Sequence, residues 1–171
     1  MARYEGLTFD VTTTSLISQF MKLRDEIKQT KPFAGLEEEA FLNLQRTAEY
    51  LNWKLAEVLG PRELSPTQYN ALRILRGAGK SGLTCGEIGE RMVTRDSDIT
   101  RLLDRLEKRN LVIRTRDPKD RRVVITRITP KGLHVLAELD EPVKEFLKES
   151  MSRLGSRRLG ELSASMEGLR G

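Results

Sequence analysis

A single cysteine, Cys85, and a single histidine, His134, are the whole supply of thiol and imidazole groups in this 171-residue chain. One thiol cannot close an internal disulfide, and the two together cannot complete a structural zinc site. Neither metal nor disulfide is therefore expected to hold the fold, and no cofactor is expected. Long apolar runs are also missing: each is soon broken by a charge, and none approaches the roughly 20 residues that a membrane span needs. The opening stretch MARYEGLTFD lacks the basic-then-apolar order of a secretory signal, so a cytoplasmic location is expected. The sequence has no Gly-rich phosphate loop and no paired-carboxylate site, and His134 has no motif relation to Cys85, so an enzyme is not expected. Aromatic residues make up only 5%, against 38% hydrophobic and 32% charged. That balance suits a soluble, largely helical protein with one compact domain, or a small domain carrying helical extensions.

The net charge of +5 is unevenly spread. Between Arg91 and Arg127 lie 12 basic and 6 acidic residues, a local excess of +6 that leaves −1 for the rest of the chain. Lysine and arginine confined to one stretch mark a polyanion-binding face, because they gain by displacing counterions condensed on phosphates. The plainer reading is a solvated helix face.

Apolar positions Leu16, Ile17, Phe20, Leu23 and Ile27 recur at helical spacing over about 11–29, ended by the Lys31-Pro32 step. Residues 37–59 form a longer amphipathic stretch stopped by Gly60-Pro61, with Phe41, Leu44, Ala48, Leu51, Leu55 and Val58 on one stripe. Ser65-Pro66-Thr67-Gln68 combines a capping hydroxyl, a first-turn proline and a Gln able to close a capping box, predicting a helix to about Gly77. Thr84-Cys85-Gly86-Glu87 is a second capping box, opening a short helix with Cys85, Ile88 and Met92 on one face. Asp96 is placed to cap a third helix, 97–109, with Ile99, Leu102, Leu103 and Leu106 inward and Asn110 at its end. Two β-prone runs, 111–116 and 123–128, then flank Asp117-Pro118-Lys119-Asp120-Arg121-Arg122 and predict a hairpin with a charged tip. Thr129-Pro130 opens a helix expected to kink or restart at Pro142, and a last short helix fills 156–169.

Three short helices followed at once by a hairpin give a mostly α fold with a small β wing, the winged helix-turn-helix order. The third helix enters the major groove in such folds, its N-terminal residues against base edges. Helical phase turns Ser97, Arg101, Asp104 and Lys108 outward, flanked by Asp98, Thr100 and Arg105. Arg101 suits bidentate pairing with guanine, Asp98 can accept from cytosine, and the Ser97 and Thr100 hydroxyls can serve base or phosphate. Arg95 and Arg105 suit phosphates. For Asp98 a second reading stands equally, an acid that only complements the helix dipole. At the wing tip Lys119, Arg121 and Arg122 surround a proline turn able to hold a guanidinium in the minor groove, while Asp117 and Asp120 stabilise it by pairing.

The runs LSPTQYNALRIL, LTCGEIGERMVTRDSDITRLLDRLEKRNLVIR and DPKDRRVVITRITPKG resemble the MarR (multiple antibiotic resistance regulator) family over about 37–146. The resemblance implies a homodimeric winged-helix repressor or activator, a repressor being the expectation here, that binds a pseudo-palindromic double-stranded operator flanked by its two wings. It also implies dimerisation through the N- and C-terminal helices, so residues 1–60 and 130–171 are expected to form the dimer region and 61–129 the DNA-binding lobe. Asp117, Asp120, Arg121 and Arg122 fall on the family's wing motif, and 97–101 on its recognition helix. Many members bind a small phenolic or aromatic effector, for which Tyr50, Trp53 and Tyr69 are the candidates here, though buried aromatics are more often core. Two alternatives remain at this level: a winged-helix protein-interaction module, and a thiol-based redox sensor using Cys85, whose first-turn position favours a thiolate but whose apolar companions favour a packing role. His134 reads as packing or surface, and Gly89 as a close helix crossing.

Overall fold

Hydroxyl caps set where the helices begin. Residues 22–94 and 98–171 are described by the computed structural model, which divides into two units, 1–49 and 50–171. In the larger unit, Ser65 Oγ accepts the Gln68 N–H at 3.2 Å while Gln68 Oε1 accepts the Ser65 N–H at 3.0 Å, opening α3 (Pro66–Ala78). Thr84 and Glu87 make the same reciprocal pair, at 3.3 and 2.8 Å, to open α4 (Cys85–Arg91). Thr129 Oγ1 accepts the Gly132 N–H at 3.0 Å at the start of α6 (Pro130–Met151). Each cap satisfies a backbone donor that the helix itself leaves unpaired, an effect of about 1 kcal/mol.

The remaining elements are α1 (Leu23–Glu26), α2 (Leu36–Leu59), α5 (Ile99–Lys108), β1 (Val112–Arg116), β2 (Val124–Ile128) and α7 (Gly155–Gly168). The expected first helix over 11–29 is described only at α1, since its earlier residues lie outside the described ones. The third helix starts later than expected, and its N-cap is Asp98, whose carboxylate accepts the Arg101 N–H at 3.0 Å. Asp96, the expected cap, lies outside the described residues. Helix α6 runs through Pro142 without a restart. Pro142 and Glu138, the residue whose carbonyl loses its partner, are both exposed, so water can satisfy that carbonyl.

The smaller unit contributes α1 and the first part of α2, with Arg46 Nε 2.9 Å from Glu26 Oε1. In the larger unit α3, α4 and α5 surround a core of Leu72, Leu75, Ile88, Leu103 and Leu106, closed by Leu111 and Val112 from the hairpin and Leu136 from α6. Asn110 follows α5 at φ 58°, a left-handed position that asparagine tolerates, and turns the chain into β1. The strands pair antiparallel from Val112↔Ile128 to Arg116↔Val124. Leu83 adds one further bridge to Thr126, with backbone bonds of 3.0 and 2.8 Å. Two ion pairs fasten α6 to the lobe: Arg62 to Glu138 at 2.7 Å, and a bidentate Arg76 to Asp140 with a shortest distance of 2.8 Å. Asp140 raises the Arg76 pKa further above its ordinary value.

Gly89, expected at a close crossing, does not need to be glycine: a Cβ there would meet Ile99 Cγ1 at an ordinary 3.6 Å. Gly132 does, because a Cβ would run into the Leu111 carbonyl oxygen and Ile128 Cγ1. Backbone cannot yield as a flexible side chain does. Gly132→Ala is expected to cost about 1–3 kcal/mol, read as a lower urea midpoint at unchanged m-value, whereas Gly89→Ala should leave the midpoint unchanged or raise it, by up to about 1 kcal/mol in stability.

Candidate nucleic-acid interface

Helix α5 is split lengthwise by burial. Leu102, Leu103 and Leu106 are buried and Ile99 is half-buried, while Thr100, Arg101, Arg105 and Lys108 are exposed. At its start Arg101 Nε lies 2.9 Å from Asp98 Oδ2, yet the Arg101 side chain remains 79% exposed. Such an exposed pair is worth about 0–1 kcal/mol, so Arg101 can leave it for a stronger acceptor. Asp98 is committed to the cap and to this pair, which favours its helix-terminus role over its base-reading one. Arg95 and Ser97 lie outside the described residues.

Asp104, expected to face outward beside Arg101, is instead drawn toward the hairpin. Arg114 of β1 donates from Nη2 to Asp104 Oδ1 at 2.5 Å, and from Nη2 and Nε to Glu107 Oε2 at 2.7 and 2.9 Å. The Arg114 backbone N–H donates to Glu107 Oε1 at 3.0 Å. One guanidinium and one amide thus tie the strand to the last turns of α5 while Arg114 stays 27% exposed. The Arg114 bonds hold the Glu107 carboxyl below the usual carboxylate range, and the two acids raise Arg114 in return.

At the wing tip Asp117 Oδ1 accepts the N–H of Lys119 at 2.6 Å and of Asp120 at 3.3 Å, closing the turn after Pro118. Asp120 Oδ1 accepts the Arg122 N–H at 3.0 Å and its Nε at 3.2 Å. Those bonds, the backbone one foremost, lower the Asp120 pKa. Arg122 is still 92% exposed, and Lys119 and Arg121 are exposed with no ion pair among the described residues. The tip therefore presents three cations on a turn that two aspartates shape.

Three of the 12 basic residues between Arg91 and Arg127 act as inward fasteners. Besides Arg114, Arg109 donates to the carbonyls of Glu63 and Arg62 at 2.6 and 2.8 Å, and Arg127 donates to Lys80 O and Thr115 Oγ1, each at 2.8 Å. Sequence reasoning assigned them only to the basic total. The available signal was position: Arg109 caps the helix end, and Arg114 and Arg127 sit within strands.

Cys85 does not join Ile88 on the buried face; it is exposed, its Sγ 3.8 Å from Thr100 Oγ1. His134 is exposed too, 3.9 Å from Glu138. The three candidate effector aromatics do not share a pocket. Tyr69 is 6% exposed within the core, where burial raises its pKa. Tyr50 and Trp53 are exposed neighbours, ring centroids 6.4 Å apart, with Lys54 Nζ 4.4 Å from the Trp53 centroid. Tyr50 lines a cavity of about 340 Å³ with Leu51, Lys54, Phe146 and Glu149 among its walls. Among the described residues no three acidic, His or Cys side chains are grouped to hold a metal, and no helix is long and apolar enough to cross a membrane.

A family model described as MarR family matches residues 64–124. Over 107 residues the chain is 33% identical to the HTH-type transcriptional regulator YsmB of Bacillus subtilis (strain 168), covering 63% of this chain and 72% of YsmB. The chain belongs to the MarR family. The crystal structure of a MarR transcription factor from Planctomyces limnophilus, 40% identical, matches with TM-score 0.62 over 80% of this chain and 98% of that one. A mutant MarR from E. coli, solved in complex with operator DNA, shares the fold at TM-score 0.65 and 24% identity, over 76% of this chain and 95% of that one. As a MarR-family member the chain is a DNA-binding transcriptional regulator with a winged helix-turn-helix, and the matched residues include α5 and β1.

The Arg114 cluster gives a pH signature to this MarR-family lobe. Because the folded Glu107 pKa lies below its unfolded value of about 4.3, its contribution is full above that value and is lost as pH falls through the lowered one. Glu107→Gln is expected to cost on the order of 1 kcal/mol at pH 7, and the gap to wild type should close below about pH 4 in urea titrations. A gap that stays constant from pH 7 to pH 3 contradicts this.

Proposed function

We propose that this MarR-family regulator works as a cytoplasmic homodimeric repressor, reading an inverted-repeat operator by binding alone, with no chemical step. The first turn of α5 enters the major groove of each half-site, where Arg101 pairs with a guanine edge and Thr100 meets a base or phosphate. Arg105, and Arg95 before the helix, contact phosphates, and Ser97 adds a hydroxyl. Lys119, Arg121 and Arg122 reach the neighbouring minor groove, with Asp117 and Asp120 holding the turn. The single observation that carries this reading is the Arg114 cluster, which holds the exposed face of α5 and the cationic hairpin as one body.

Residues 61–129 form the DNA-binding lobe in this reading, and 1–60 with 130–171 supply the dimer contact. What supports the latter is unused apolar surface: Phe41 and Leu44 on α2, Leu147 on α6, Leu154 in the turn after it and Leu162 on α7 are all exposed. Two copies related by a two-fold axis place their recognition helices in successive major grooves, roughly 34 Å apart. A small phenolic or aromatic effector fits the cavity walled by Tyr50 and Phe146, with Lys54 beside it for an acidic group.

The test is selection of genomic fragments by the purified protein, followed by titration of wild type and variants on the selected operator and on random DNA. Arg101→Ala is expected to lose about 5- to 150-fold on the operator with little change on random DNA. Lys119→Ala or Arg122→Ala should weaken both more evenly and flatten the salt dependence by about one charge per chain. Equal losses on both DNAs for Arg101→Ala overturn its base-reading role. Light scattering should give twice the chain mass, and a monomer at micromolar concentration overturns the dimer.

A further inference from the structure

The turn between α4 and α5 carries an apolar side chain that the core does not use. Val93 is 86% exposed, above Leu36 at 80% and Leu169 at 76%, which stand at a helix start and near the chain end. A lone exposed valine needs no explanation by itself. Val93 is set apart by how it is held. Its backbone N–H donates to Asn70 Oδ1 of α3 at 3.0 Å. The preceding residue, Met92, packs against the core and donates its N–H to the Gly89 carbonyl at 3.3 Å. The backbone entering Val93 is thus fastened by a side-chain acceptor from a core helix and by the core contact of Met92. Valine itself has little χ1 freedom to lose. The fold therefore presents a methyl pair with little rotamer freedom in a basic, otherwise polar segment, five residues before the N-cap of α5.

The turn that leads into a recognition helix borders the groove that the helix's first turn enters. The major groove offers many hydrogen-bonding edges but one distinctive apolar group, the C5 methyl of thymine. We propose that Val93 packs against a thymine methyl in each half-site and imposes a T·A preference beside the positions met by Thr100 and Arg101. This rests on the reading that α5 enters the major groove, and adds a specificity-determining residue outside the helix.

Single replacement of each operator thymine by deoxyuridine removes that methyl and leaves the hydrogen-bonding edge intact. On a selected genomic operator, one thymine per half-site should show about a fourfold loss with wild type, the factor expected for one buried methyl. Val93→Ala should bind the thymine operator more weakly by a similar factor and no longer distinguish thymine from deoxyuridine there. Val93→Ile should retain the distinction, and both variants should bind random DNA as wild type does. If wild type and Val93→Ala respond identically at every thymine, the inference is overturned. If the sensitivity disappears in Thr100→Ala instead, Thr100 is the methyl reader and the inference is again overturned. Should Arg101→Ala lose equally on operator and random DNA, the groove reading fails and takes this inference with it; should Arg101 discriminate while Val93 couples to no thymine, only the inference fails.

Discussion

The charge-assisted bonds from Arg114 to Asp104 and Glu107 decide what the basic segment can do. A two-stranded hairpin is marginal on its own, and a ten-residue helix is too short to persist in water by itself. Joined through a guanidinium that bridges two carboxylates, and through Leu111 and Val112 in the shared core, they hold one relative placement. In the proposed reading that placement matters because a major-groove reader and a minor-groove reader must match a spacing fixed by DNA. A wing that swung freely would give up binding energy as ordering entropy on each encounter. The same cluster draws two acids toward the hairpin and leaves Arg101, Arg105 and Lys108 on the exposed face.

Charge in this lobe therefore has two uses that look alike in a linear sequence. Arg101, Lys119, Arg121 and Arg122 end in solvent, whereas Arg109, Arg114 and Arg127 end on carbonyls, carboxylates or a hydroxyl of the same chain. The family's activity needs both kinds. In the proposed reading the outward set supplies counterion release and contact with DNA, and the inward set keeps the outward set in register.

Much of the fold was legible from local chemistry. Capping at Ser65, Thr84 and Thr129 is decided within four residues, so those helix starts could be read directly. The hairpin followed from two β-prone runs about a charged turn, and the inward stripe of α5 from its leucines. What stayed hidden depends on residues distant in sequence. Helical phase alone turned Asp104 outward, because nothing local shows that Arg114 will pull it across. Gly132 is required by the Leu111 carbonyl that the hairpin brings back, whereas Gly89, expected at a close helix crossing, has room for a methyl group. Tyr50, Trp53 and Tyr69 look equivalent as aromatics, yet only the packing of α3 buries Tyr69 and leaves the other two at the surface. Cys85 was counted with an apolar face, but its place in the first turn of α4 leaves it exposed beside Thr100.

The most direct test of the account is a hydroxyl-radical footprint of the selected operator, saturated with wild type or with Arg114→Gln. The wild-type complex is predicted to protect the minor groove flanking each recognition-helix site, and Arg114→Gln to lose that flanking protection while still occupying the central sites. Identical footprints for the two proteins would contradict the claim that Arg114 makes helix and wing a single DNA-binding body.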